Sequence, residues 1–155
     1  IEVAAYPEYH PAQRYAARDL QHFVDKVNAG ASGAITQFFF NPDAYFHFVD
    51  ATRKLGATVP VVAGIMPFHN YARIAQFAQR DGIKIPRWVA LKMEGFMDDA
   101  ASVREFGIEV VARLCQRLIE GGAPGIHFYT LNRSDLVYAI CRVLGLGVPA
   151  ADAAA

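Results

Sequence analysis

No stretch of this 155-residue chain approaches the ~20 consecutive apolar residues a membrane span needs, and none reads as a secretory leader. Cysteine is scarce: Cys115 and Cys141 both fall in helical patterns and share no CxxC spacing. A reduced, cytoplasmic setting with two packed thiols is the simplest expectation. Neither sign of charge is in excess, since 15 basic residues face 15 acidic ones. That balance argues against nucleic acid as the main partner. No HxH, HExxH or cysteine cluster offers metal-ligand spacing, and no serine nucleophile elbow appears. Nor does a Gly-rich phosphate loop follow the first strand-like segment, which argues against an open nucleotide-binding sheet.

What is present is enough apolar sequence, 54% of residues, for one core. The chain opens at Ile1 directly in strand-like sequence, and residues 149–155 read as a disordered tail. Both ends suggest a piece of a longer polypeptide, with residues 1–148 as its folded part.

Apolar periodicity divides those residues into alternating strands and helices. Val3–Tyr6 reads as a strand that Pro7 ends, and a helix is expected from Pro11 to about Ala29, stopped by Gly30. Ile35–Phe40 reads as a buried strand. Asn41 then caps a helix with Pro42 in its first turn, running to Leu55 and closed by Gly56. Val59–Met66 is strand-like, Asn70 to Asp81 helical with Gly82 after it, and Pro86–Met93 a short extra helix. Asp98 or Ser102 starts a long helix to Glu120, Ser102 and Glu105 having capping-box spacing. Gly125–Tyr129 is the last strand, and Ser134 is expected to cap a closing helix that Gly145 ends. Strands alternating with helices imply right-handed crossovers and a parallel sheet. Four such units make half of a (βα)8 TIM barrel, whose working groups stand at the carboxyl ends of the strands.

Candidate residues cluster at those ends. Gln37 is the one amide in an otherwise apolar strand; it either satisfies nearby backbone or points at a ligand. Asp19, His22 and Lys26 share one helical face, either a solvated stripe or a reach over the rim to a phosphorylated or sugar-bearing cofactor. Tyr6 and His10 flank the Pro7-Glu8 turn, where the histidine is a loop donor or a ligand contact. Arg133 suits a bidentate carboxylate clamp or, alternatively, a local salt bridge. Phe77 reads as core unless it lies at the barrel mouth, where it can stack. The acidic residues Glu94, Asp98 and Asp99 read as a helix start rather than a site.

Four segments carry a resemblance: Ala4-Ala5-Tyr6-Pro7-Glu8 with His10-Pro11, Ala34-Ile35-Thr36-Gln37-Phe38-Phe39-Phe40, Gly64-Ile65-Met66-Pro67, and His127-Phe128-Tyr129-Thr130-Leu131-Asn132-Arg133. In this order and spacing the chain resembles the last four βα units of 5,10-methylenetetrahydrofolate reductases. The resemblance implies a barrel that binds FAD and reduces methylenetetrahydrofolate to methyltetrahydrofolate with NAD(P)H. It implies that Tyr6, His10, Asp19, His22 and Lys26 hold FAD. Gln37 then contacts the pterin, Phe77 stacks on whatever faces the flavin, and Arg133 binds folate, with Tyr129 lining the pocket. Arg73 stands where the bacterial pattern has a substrate-contacting glutamine, and His22 where it has asparagine. The family's catalytic glutamate lies upstream, so this segment carries no catalytic residue of its own and is expected to be inactive alone. Its expected partners are the N-terminal half of the barrel, the nucleotide and folate substrates, and a second copy of the chain. Two other readings stay open: a noncatalytic flavin- or folate-binding subunit, and an unrelated barrel enzyme for a phosphorylated metabolite.

Overall fold

A computed structural model describes residues 1–8, 10, 12, 15–96 and 99–146. Four strands form one parallel sheet in chain order: β1 (Glu2–Ala5), β2 (Gly33–Thr36), β3 (Val61–Ile65) and β4 (Ile126–Phe128). Parallel neighbours need crossovers, which α1 (Ala16–Asn28), α2 (Pro42–Lys54) and α5 (Ala100–Glu120) supply. Between β3 and α5 the chain inserts α3 (Tyr71–Asp81) and α4 (Arg87–Phe96); α6 (Ser134–Val143) follows β4. The alternating α/β architecture and parallel sheet agree with the sequence expectation. Strands β1 and β4 form the two edges of this sheet. No described helix is long and apolar enough to cross a membrane, and both cysteines are free thiols.

The core lies between the sheet and α1, α2 and α5. Phe23 and Phe48 meet edge to face at 5.1 Å between α1 and α2, and Leu118 and Cys115 of α5 are fully buried. Burial pushes the Cys115 thiol up to about 12 and keeps it protonated.

Strand β2 ends at Thr36, one-third of the way through the Ile35–Phe40 segment expected to be extended. The reason is local. Gln37 still donates its backbone N–H to Ala5, but its side-chain Oε1 accepts from the N–H of Phe38 at 3.0 Å. That donor is thereby taken from the ladder. The three phenylalanines then bury as a loop: Phe39 stacks on Tyr45 of α2 and Phe40 meets Phe68. The first helix starts at Ala16 rather than near Pro11, which lies outside the described residues, as do Asp98 and residues 149–155. Asn41 caps α2 as expected, accepting from Asp43 N. Ser102 does not cap α5. Asp99 does, accepting from the N–H groups of Ala101 and Ser102, while Ser102 Oγ donates back to it. Ser134 is likewise the first residue inside α6, and Arg133 holds the cap position without a side-chain capping bond.

One tie fixes the carboxyl ends of β2, β3 and β4. Thr36, fully buried, accepts the N–H of Gly64 at Oγ1 (2.8 Å), and its carbonyl accepts the hydroxyl of Tyr129 (2.8 Å). The approach requires glycine: a Cβ on residue 64 would lie 2.0 Å from that carbonyl oxygen and 2.7 Å from the Tyr129 ring. We predict that Gly64→Ala destabilises the protein by about 1–3 kcal/mol, the usual range for overpacking a dense core. Urea denaturation followed by circular dichroism measures it, and an unchanged midpoint would contradict this account of the tie.

Candidate functional site

Helix α3 runs over the carboxyl ends of the strands, and its contacts locate it. At its start, Arg73, Ile74 and Phe77 line a cleft with the loops that follow β3 and β4. At its end, Asp81 accepts from Gln37 Nε2 (3.4 Å), just past β2. Three residues later, Lys84 N donates to Glu8 (2.9 Å) in the loop after β1. The stretch from Arg73 to Lys84 therefore neighbours the loops after all four strands. It is capped by Asn70, which accepts from Arg73 N, and by Gly82 in the left-handed conformation (φ 71°).

Below the β1 end lies a larger cleft of about 600 Å³ between β1 and α1. Tyr6, His10, Asp19, His22 and Lys26 all line it, so the polar stripe of α1 and the turn after β1 do converge. Two hydrogen bonds hold the described residues His10 and Ala12. Asp19 accepts the backbone N–H of His10 (3.0 Å), and His10 Nδ1 accepts from Ala12 N (3.1 Å), which leaves Nε2 as the ring's donor. Tyr6 and His10 meet edge to face at 4.6 Å. Lys26 Nζ donates to the carbonyl of Ala4 (2.7 Å). Ala5 O faces β2, so Ala4 O points to the free edge, and the ammonium covers an acceptor there.

The second cleft, bounded by α3 and the β3 and β4 loops, is lined by Arg73, Phe77 and Arg133 among the expected residues. Phe77 is half-buried rather than core, with the guanidinium groups of Arg73 and Arg80 at 5.8 and 5.2 Å from its ring centre. Arg80 in turn forms a bidentate pair with Asp81 and, chiefly through that hydrogen bond, holds the carboxyl below its ordinary range. Gln37 sits beside this chain of contacts. Its amide serves Phe38 and Asp81, both within the protein, and its position is the carboxyl end of the sheet. Tyr129 does not line the second cleft; its hydroxyl is committed to Thr36, and burial raises its pKa. Leu131 and Asn132, both with positive φ (48° and 62°), form the turn that sets Arg133 at the cleft. A leucine there is strained, the kind of outlier that recurs at binding loops.

Sequence reasoning passed over three residues. His69 contacts Arg133 Nη1 at 2.8 Å, and Arg133 also pairs with Asp135. Glu8 and Asp81 tether α3. Only His69 had a readable sign, its place in the short loop between a strand end and a helix cap. Among the described residues no group of histidine, cysteine or carboxylate side chains could hold a metal ion.

Comparison with known proteins gives one family. Residues 1–145 match the family described as methylenetetrahydrofolate reductase. Among curated relatives, the 5,10-methylenetetrahydrofolate reductases of Salmonella typhimurium and Escherichia coli K12 are each 40% identical over 146 residues. These alignments cover 94% of this chain and 49% of the relative. The chain spans about half the length of the curated relatives it matches. A solved structure of an uncharacterised Clostridium thermocellum protein, described as binding two copies of 5-methyl-5,6,7,8-tetrahydrofolic acid, aligns with a TM-score of 0.57 at 19% identity. It covers 94% of this chain and 52% of its own and shares the fold.

Burial raises the Glu8 carboxyl above its ordinary value, against the pull of the Lys84 N–H and ammonium. With the folded value raised, the contribution of Glu8 to stability is fully present below its unfolded pKa and is lost as pH rises through the folded one. We therefore predict that Glu8→Gln, which keeps an acceptor for Lys84 N, stabilises the protein at neutral pH. The gain should shrink on acidification. Urea midpoints across pH test this, and a gain that grows in acid would contradict it.

Proposed function

The chain belongs to the methylenetetrahydrofolate reductase family, and on that premise we propose that it forms the C-terminal half of a (βα)8 barrel reducing 5,10-methylenetetrahydrofolate to 5-methyltetrahydrofolate with NAD(P)H. The observation that carries the reading is the pair of clefts, one between β1 and α1 and one between α3 and the loops after β3 and β4. Five residues expected to hold FAD line one cleft, and three expected at the folate line the other. The fold shared with a methyltetrahydrofolate-binding protein is in keeping with it.

When bound, FAD supplies the hydride relay between nucleotide and folate. The work of this chain is positioning. The cleft under β1 carries what the sugar–diphosphate part of such a cofactor needs: the Lys26 ammonium as a phosphate point charge and His10 Nε2 as a donor. Binding there requires Lys26 to exchange the Ala4 carbonyl for phosphate oxygen. A parallel neighbour strand, supplied by the N-terminal half, would take over that carbonyl. On the other side, Phe77 presents a flat apolar face to the pteridine, and Gln37 turns its carboxamide from Asp81 to the ring's polar edge. Arg133 faces the glutamyl carboxylates, with Arg73 adding a second cation where bacterial relatives carry glutamine. Holding two rings in contact supplies several kcal/mol of barrier lowering, on the order of what orientation gives elsewhere. The protonation that accompanies transfer falls to the glutamate expected in the N-terminal half.

Two outcomes are predicted. Residues 1–155 alone should fail to catalyse menadione-dependent oxidation of methyltetrahydrofolate under anaerobic assay, and the full-length protein should catalyse it. Turnover by the isolated segment would overturn the half-barrel reading. In the full-length protein, Lys26→Met should weaken FAD about tenfold or more, the scale of one charge-assisted bond, as read by flavin release on dilution. Unchanged retention would remove Lys26 from the cofactor site.

A further inference from the structure

We infer that His69 is a positioning residue: its unprotonated ring holds the Arg133 guanidinium so that the remaining N–H groups face a substrate carboxylate, and substrate affinity falls when that ring takes a proton. The inference rests on the folate reading above and adds to it the group that aims the arginine.

The geometry is specific. Arg133 Nε lies 3.2 Å from Asp135 Oδ1, Nη2 lies 3.5 Å from Oδ2, and Nη1 lies 2.8 Å from His69 Nε2. A guanidinium has five N–H groups and no acceptor, so His69 Nε2 must accept. The ring is therefore neutral and carries its proton on Nδ1. Three N–H groups are spent, and one remains on each terminal nitrogen. That is the number a bidentate carboxylate takes.

Without His69, the guanidinium would be held on one flank only, by a carboxylate that Arg104 also approaches at 3.8 Å. The charges around the ring bear on its titration. Arg133 and Asp135 face it across the cleft, Arg73 comes from α3 and Arg104 from α5, and Glu94 of α4 shares an adjoining hollow. Burial lowers the pKa of His69 first and the Arg133 charge next, with Asp135 opposing and Arg73 and Arg104 adding. Protonation would set an imidazolium against a guanidinium at hydrogen-bond distance and leave no acceptor between them.

The sign separates this role from plain attraction. An extra positive charge at the cleft would by itself tighten an anionic ligand in acid; a positioning role predicts the reverse. The test is anaerobic calorimetric titration of the full-length protein, its FAD reduced beforehand so that no electron transfer can occur, with 5-methyltetrahydrofolate from alkaline to mildly acidic pH. The wild type should bind more weakly as pH falls through the His69 pKa. His69→Ala should bind about tenfold more weakly at alkaline pH, the scale of one hydrogen bond to a charged group. His69→Gln, which keeps an acceptor but does not titrate, should regain most of that affinity and lose the pH dependence. Affinity that is flat or rises in acid for the wild type, or a His69→Gln profile equal to the wild type's, would overturn the inference. Absence of folate binding in every variant at every pH would overturn the folate reading and this inference with it.

Discussion

The tie at Thr36 is the constraint from which the rest of the structure follows. Its hydroxyl receives the Gly64 amide and its carbonyl receives the Tyr129 hydroxyl, so one buried residue joins three strands at their carboxyl ends. The next residue is Gln37. Because the ladder closes at Thr36, Gln37 leaves the sheet at a fixed height, and the phenylalanines behind it turn into the core. A side chain at position 64 would separate the strands and disturb every loop that follows them. Tyr129 thus serves the site through the scaffold, whatever else its ring touches.

Helix α3 is tied to the loops after β1 and β2 by polar contacts at its carboxyl end. Glu8 and Gln37 hold its carboxyl end, reaching across 76 and 44 residues of sequence, while Ile74 and Ala78 provide its buried face. Polar tethers can exchange partners at lower cost than a packed core can repack. A helix so held keeps Arg73 and Phe77 beside the loops after β3 and β4. The same economy governs Lys26, whose partner in this structure is a strand-edge carbonyl.

Much of this was legible in the sequence because it is local. The Asn41-Pro42 start of α2 and the glycine stops follow from spacing and backbone preference, whereas the convergence of α1's polar face with the turn after β1 was implied only by the family resemblance. What escaped depends on distant partners. Nothing in Ile35–Phe40 says that Gln37 will bond to the next residue's amide and end the strand. Asp99 outcompeted Ser102 as a cap because it can accept two N–H groups at once. That α3 lies over the strand ends, and is not itself the crossover, depends on contacts with the β1, β2 and β4 loops, which periodicity cannot register. The arginine that His69 meets was hidden for the same reason: it lies 64 residues away.

The central claim is that the carboxyl face of this sheet presents Gln37 and Phe77 to a folate ring stacked on a flavin. A crystal structure of the full-length protein with FAD and 5-methyltetrahydrofolate bound tests it most directly. The account predicts the pteridine between Phe77 and the isoalloxazine, with the Gln37 carboxamide released from Asp81 and bonded to the ring edge. A folate bound elsewhere, with Gln37 still on Asp81, would contradict it.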